Sequence, residues 1–339
     1  MLYKTIIQGR LEFATEKTYA KVLKMFEYRA EAYHKNDILF EMEEIFFPEN
    51  YQLIIPRMVK QVYEKTYKNT ATLLDYCSQF AVSGSLNSWL IDEGRIMHYS
   101  KMEPVSDKVA VQQYLKGKSL VKTKGKEAEA IEALTKAIEK FDRHAQAYER
   151  RAKVNYTMKK YHDAKRDYDK SLKHDDTNPH AYYGRAKVKL HEKDYASAIK
   201  DFDLTLKYSV ALQQIYWKAR RLKSICHMEL GEWEKAAFDL KLITNRAFKP
   251  KMPMKHWKRW SFFKYGLVLM ELENYEEALN AFESSLSLDE GYDDISEAEK
   301  LKNRGLAKQK AGKNGYIKDI KDAADLGDKE AALLLKNIA

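Results

Sequence analysis

The chain has little cysteine. Cys77 and Cys226 are the only two in 339 residues; they stand far apart in apolar contexts. That excludes a disulfide framework and fits a reducing compartment. The nine histidines form no HExxH and the cysteines no CxxC, so no zinc-ligand spacing is present. His180 and His191 fall at opposite ends of one helical segment, too far apart to share a metal. No apolar run is long enough to span a bilayer, and Met1–Gln8 lacks the apolar core of a secretory leader. These absences predict a soluble, cytoplasmic protein with no metal and no membrane span.

Catalytic constellations are missing too. Gly117-Lys118-Ser119 suggests a phosphate loop, but such a loop needs a glycine five residues before its second one, so that backbone amides wrap the phosphates. Gln112 stands there instead. Asp92-Glu93 and Asp293-Asp294 are paired carboxylates in turn-like stretches, where acidic side chains commonly bond to the backbone. No nucleophile, base and orienting group can be named together. Neither enzyme activity nor a cofactor is expected.

What the chain does contain is a repeat. Ala147-Tyr148-Glu149-Arg150-Arg151-Ala152-Lys153-Val154 returns as Ala181-Tyr182-Tyr183-Gly184-Arg185-Ala186-Lys187-Val188, and Tyr161-His162-Asp163-Ala164 as Tyr195-Ala196-Ser197-Ala198. The offset is 34 throughout, a period that marks stacked supersecondary units. Tyr148, Ala152 and Asn155 share one helical stripe; Ala164, Tyr168 and Ser171 share another. The small residues let two antiparallel helices approach, and the aromatics fill the space between units.

This pattern resembles the tetratricopeptide repeat, a helix–turn–helix of 34 residues with small residues at its eighth and twentieth positions. Further copies lie around Ala130, with Lys118 irregular at the small position, and around Ala236, Gly266–Ser285 and Arg304-Gly305. Four extra residues between Ala198 and Ala236 predict a lengthened first helix. About eight more fall within 245–255, where Pro250 and Pro253 prevent continuous helix. The expected array is about six helix pairs with a C-terminal capping helix near Ala331–Ile338, giving an all-α solenoid over residues 106–339.

The resemblance implies partner binding on the concave surface lined by the first helices. Its second, fifth, ninth and twelfth positions fall on Gln146, Glu149, Lys153 and Tyr156, then on His180, Tyr183, Lys187 and Leu190. The next sets are Lys218, Arg221, Ile225 and Met228, and Trp260, Phe263, Leu267 and Met270. Lys153, Tyr156, Tyr183, Lys187, Lys218, Arg221, Trp260 and Phe263 are the candidate groove residues, with Phe262 on the core stripe. Repeats that clamp the carboxylate tails of heat-shock chaperones use Lys and Asn where this chain has Leu115 and Ser119, so that ligand is not expected.

The net charge of +10 is unevenly spread. Residues 211–270 hold 13 Lys and Arg against 4 Asp and Glu, whereas 271–339 hold 10 against 16. A positive field of this kind attracts acidic protein, nucleic acid or an anionic surface. Arg220, Lys251, Lys255, Lys258 and Arg259, interleaved with Trp257 and Trp260, form a candidate basic patch of the type single-stranded RNA binders use.

Residues 1–105 read differently. Positions 5–13 alternate as a half-buried strand, with Ile7, Gly9, Leu11 and Phe13 inward and Gln8, Arg10 and Glu12 outward. A helical stripe follows from Tyr19 to Tyr33, then strand-like runs at 38–47 and 51–55. A second stripe through Tyr63, Tyr67, Leu74 and Cys77 leads to a hairpin at 86–99. The order β-α-β-β-α-β-β predicts a small α+β domain with both helices on one sheet face, joined to the array near Glu103-Pro104-Val105. The whole reads as a non-enzymatic adaptor holding a protein or peptide segment, possible acidic ones included, in the repeat groove. The alternative is an RNA- or ribosome-associated protein using the basic patch.

Overall fold

The computed structural model describes residues 1–248, 257–288 and 294–338. By its internal contacts the chain divides into two compact units, Met1–Val188 and Lys189–Ala339.

The first unit begins with strand β1 (Leu2–Glu12), followed by helices α1 (Glu16–His34) and α2 (Met42–Ile45). Strands β2 (Phe46–Phe47) and β3 (Gln52–Tyr63), helix α3 (Glu64–Ser78) and the hairpin β4 (Ser83–Asp92) and β5 (Arg95–Met102) complete the domain. The sheet order is β2-β3-β1-β4-β5, every pair antiparallel. Ile7, Leu11, Phe13, Leu53 and Leu86 meet Val22, Phe26, Leu74 and Cys77 in one core, as the alternation predicts.

Three details differ from that prediction. Residues 38–47 form a strand only at Phe46–Phe47, because the Glu44 side chain accepts from the Glu41 N–H at 3.2 Å and starts a helical turn. Strand β3 runs on to Tyr63, so Tyr63 ends a strand and does not open the helix. Glu12 is buried; it takes a hydrogen bond from Gln52 Nε2 at 2.6 Å.

The helices then run in tandem: α4 (Val109–Leu120), α5 (Glu127–Lys140), α6 (Ala145–Thr157), α7 (Tyr161–His174) and α8 (Pro179–His191), the last crossing the unit boundary. Unit two holds α9 (Tyr195–Tyr208), α10 (Gln214–Glu229), α11 (Trp233–Thr244), α12 (Trp257–Glu271), α13 (Tyr275–Ser287), α14 (Glu297–Lys310), α15 (Tyr316–Asp325) and α16 (Lys329–Ile338). Helix α10 has 16 residues where α6 and α8 have 13, the lengthening that the spacing required. Pro250 and Pro253 lie outside the described residues. The small residue of the first pair is Gly117 and not position 118: a Cβ there would stand 2.6 Å from Leu134 Cγ. Gly266 plays the same part against the ring of Phe282. Among the described residues no helix is long and apolar enough to cross a membrane.

Four of the second helices, α7, α9, α11 and α15, also bury an aspartate one residue before a core aromatic or aliphatic, at Asp167, Asp201, Asp239 and Asp319. A cation answers each of them. Arg151 donates to Asp167 through Nε and Nη2, both at 2.8 Å, and Arg304 donates to Asp319 at 2.8 and 2.6 Å. Lys189 pairs with Asp201 at 2.7 Å, and Arg220 with Asp239. In α5 and α13 alanine takes the position, as Ala133 and Ala281, and beside α13 the Tyr265 Oη donates to Glu277 at 2.7 Å. A buried charge persists only when paired, so these arginines and lysines belong to the packing.

Candidate functional site

Within the first unit the α+β domain is bolted to the opening helices. Arg10 reaches the turn after α7, donating to the His174 carbonyl at 2.6 Å, with Asp175 at 3.7 Å and Asp176 at 3.5 Å. Arg143 answers from the α5–α6 turn, 3.7 Å from Glu12 and donating to the Asn50 carbonyl at 3.3 Å. Val82, Ala110 and Phe141 form an apolar contact beneath them. Gln146, a groove position in the repeat register, accepts from the Gly84 N–H of β4 at 3.1 Å. Glu149, the next one, is buried beside Arg150 at 3.1 Å. The start of α6 is therefore occupied by the chain's own sheet domain. The predicted linker is held as well: Glu103 pairs with Lys101 at 2.7 Å and Lys118 at 2.5 Å.

One turn further on, side chains of α6 and α8 become accessible. Lys153 is exposed, and Tyr156 of α6 and Tyr183 and Lys187 of α8 are half-buried. The Lys187 ammonium lies 3.8 Å from the Tyr156 ring centre and 6.0 Å from that of Tyr183, a cation–π arrangement. Tyr156 also meets Tyr161 edge-on at 5.4 Å, and burial raises its phenol pKa. Three of the four candidate residues of this unit thus touch, with Lys153 one helical turn away.

In the second unit Lys218 and Arg221 are half-buried on α10. The Arg221 guanidinium lies 4.3 Å from the Trp260 ring and 5.2 Å from that of Trp257. Ile225, Met228, Leu267 and Met270 are half-buried along the same two helices. Phe263 is not a surface residue: it is fully buried and packs on Phe282 at 5.6 Å. Trp260 is buried as well, and half-buried Phe262 is the more accessible ring. Helix α12 is apolar nearly all round, so periodicity could not select its outer face.

The basic patch comes apart. Arg220 is buried and donates to Asp239, and to Tyr216 Oη at 2.9 Å. Arg259 is buried and donates to Glu297 at 2.8 Å. Lys258 is half-buried, and burial lowers its pKa; Lys251 and Lys255 lie outside the described residues. Its two arginines, Arg220 and Arg259, are held in ion pairs with Asp239 and Glu297, which turns them away from any phosphate. For Arg220 the missed signal was Asp239, which precedes a core residue as Asp167 and Asp201 do.

The fold defines a class: tandem helix pairs with small residues where the two helices of a pair approach. The repeat itself is that of the tetratricopeptide family, whose models match residues 156–211 and 261–292. The helical part of the chain carries tetratricopeptide repeats, a protein-interaction module, and no family model matches the N-terminal region. No curated protein matches the chain in sequence. Among solved structures it is similar to YrrB, a TPR protein with an unusual peptide-binding site, at 22% identity and TM-score 0.52, covering 61% of this chain and 99% of that one. It also matches pilF of Pseudomonas aeruginosa at 15% identity and TM-score 0.49, covering 68% and 92%. A third match is the first TPR of Spaghetti bound to an HSP90 peptide, at 21% identity and TM-score 0.34, covering 38% and 97%. At these identities the likeness is one of fold.

Proposed function

We propose that the chain is a non-enzymatic adaptor of the cytoplasm, with a sheet domain (1–105) and a repeat array (106–339) that holds an extended segment of a partner protein on its first-helix faces. The observation that carries this reading is the Lys153, Tyr156, Tyr183 and Lys187 cluster. It offers cationic and phenolic groups on neighbouring helices. Its charge favours an acidic segment, since opposite potentials steer and orient an encounter. Lys218 and Arg221, with the half-buried Ile225 and Met228, give the second unit a surface of similar chemistry. The peptide-binding site in the description of YrrB, a protein of the same fold, supports the reading.

Capture from nuclease-treated lysate tests it. Immobilised full-length chain is expected to retain partner protein, and Lys153→Glu with Tyr183→Ala to lose it while the melt moves by less than about 1 kcal/mol equivalent, as surface changes usually do. Capture that survives the double substitution, or that disappears with nuclease, would count against the groove.

A further inference from the structure

The two edges of the N-terminal sheet are built differently. On one side β3 pairs with β2 only at Gln52 and Leu53. Beyond that it presents Pro56, Arg57 and Lys60, all exposed. Proline removes a donor and charged side chains discourage pairing, the usual devices that keep a sheet edge from recruiting another strand. On the other side β5 is outermost, and among the described residues no strand pairs with its outer edge. It has no proline, and its middle is apolar and open: Ile96 is 41% exposed, Met97 52% and Tyr99 50%. A cavity of about 560 Å³ runs between this strand and α3, lined by Lys68, Thr72, Asp75, His98, Ser100 and Lys101 among others. A row of unpaired backbone groups beside a groove is the arrangement by which sheets accept an added peptide strand.

We propose that β5 is a docking edge for an extended acidic peptide of a partner protein, which adds antiparallel as a sixth strand with alternate side chains entering the groove beside α3. Charge selects this occupant. The eight residues of β5 include Arg95, His98 and Lys101 and no acid. The structure already shows which side chains these groups accept: Glu64 lies 3.1 Å from His98 Nε2, and Glu103 2.7 Å from Lys101. Arg95, at the open end beside the hairpin turn, has no ion pair among the described residues. A second copy of the chain would bring a strand with the same basic residues and no acid against this edge, and like charges across a strand pair destabilise it. From His98 onward side chains alternate along the strand; before it the register with β4 shifts at Met97. His98 and Ser100 face the α3 side, and Tyr99, stacked on Trp89 at 5.4 Å, faces away. A strand that alternates acidic and apolar residues sets all its acids on one face, beside either His98 or Lys101.

The test uses the full-length chain and a fluorescein-labelled eight-residue peptide of alternating Glu and Val, with three controls. One control replaces every Glu by Lys, one carries N-methyl groups on the Val residues and one on the Glu residues. Anisotropy titration is expected to favour the acidic peptide over the lysine version by about tenfold or more, from two or three cross-strand charge pairs. One of the two N-methylated peptides should lose binding, because an added strand directs alternate N–H groups to its neighbour. Hydrogen exchange should slow in residues 95–102 on peptide addition, and Arg95→Glu should reverse the charge preference. Equal binding of acidic and basic peptides would overturn the proposal. So would protection confined to α6 and α8, or protection of 95–102 that rises with protein concentration in the absence of peptide. Displacement of the peptide by a single-stranded RNA oligonucleotide would assign the edge to nucleic acid and likewise overturn it. None of these outcomes bears on the groove variants above, so the two readings fail separately.

Discussion

Arg151→Ala is expected to cost about 3 kcal/mol, the low end of the range for breaking a buried ion pair. The guanidinium makes two 2.8 Å bonds to Asp167 and donates a third, at 2.9 Å, to Thr135. Removing it leaves a carboxylate in the contact between α6 and α7 with Asn155 Nδ2, at 3.4 Å, as its remaining donor. Most of the cost is that stranded charge, not the lost attraction. A second substitution separates the two terms: in Arg151→Met with Asp167→Leu no ion is left buried, and the double variant should recover most of the loss. Urea unfolding of the three proteins reads the difference. If the double variant is as unstable as Arg151→Ala, the ion pair is a net contributor in its own right and the account of the aspartate series is wrong.

Lowering the pH from 7 to 5 should destabilise the first unit by roughly 2 kcal/mol through one residue, His144. Its ring is fully buried against Tyr114 at 4.8 Å and near Phe141, and burial lowers its pKa to about 3. In the unfolded chain the imidazole titrates near its ordinary 6.5. Between those values the unfolded state holds the extra proton, so the stability is complete above pH 6.5 and drains away as pH falls toward 3. Nδ1 caps α6 by accepting from the Ala147 N–H at 3.3 Å. His144→Asn keeps a capping acceptor and removes the titration. Its melting temperature should fall less between pH 7 and 5 than that of the wild type. Glu12, whose carboxyl burial pushes upward, acts in the opposite direction: it favours the folded state as it protonates, and does so in both proteins. Parallel pH profiles for wild type and His144→Asn would show that the histidine is not held neutral.

The repeat was legible because its evidence is local. Tyr148, Ala152, Ala164 and Tyr168 lie within one unit, and their spacing is set by the helix period and the need for small residues where axes approach. The order of strands and helices in 1–105 was legible for the same reason. The docking of that domain was not, because Arg10 and Asp175 are joined only by the fold, and nothing in either segment marks the other. Exposure of the groove positions was half legible. Tyr156, Tyr183 and Lys187 follow the register, since α6 and α8 have a polar face to distinguish. Phe263 does not, because α12 carries aromatic or aliphatic side chains on every side. The positive stretch at 211–270 misled for a physical reason: composition counts Arg220 and Arg259 as surface charge, while burial pairs them with Asp239 and Glu297.

The central claim is that the first-helix surface around Tyr183 holds a protein segment, and site-specific photo-crosslinking tests it most directly. A benzophenone amino acid at position 183 in the full-length chain, with a second version at exposed Lys170 on α7 as control, is irradiated in nuclease-treated lysate. The account predicts discrete protein adducts from position 183 that the Lys153→Glu change removes, and none of the same mass from position 170. Identical adducts from both positions, or adducts from 183 that carry RNA when nuclease is omitted and vanish when it is added, would contradict it.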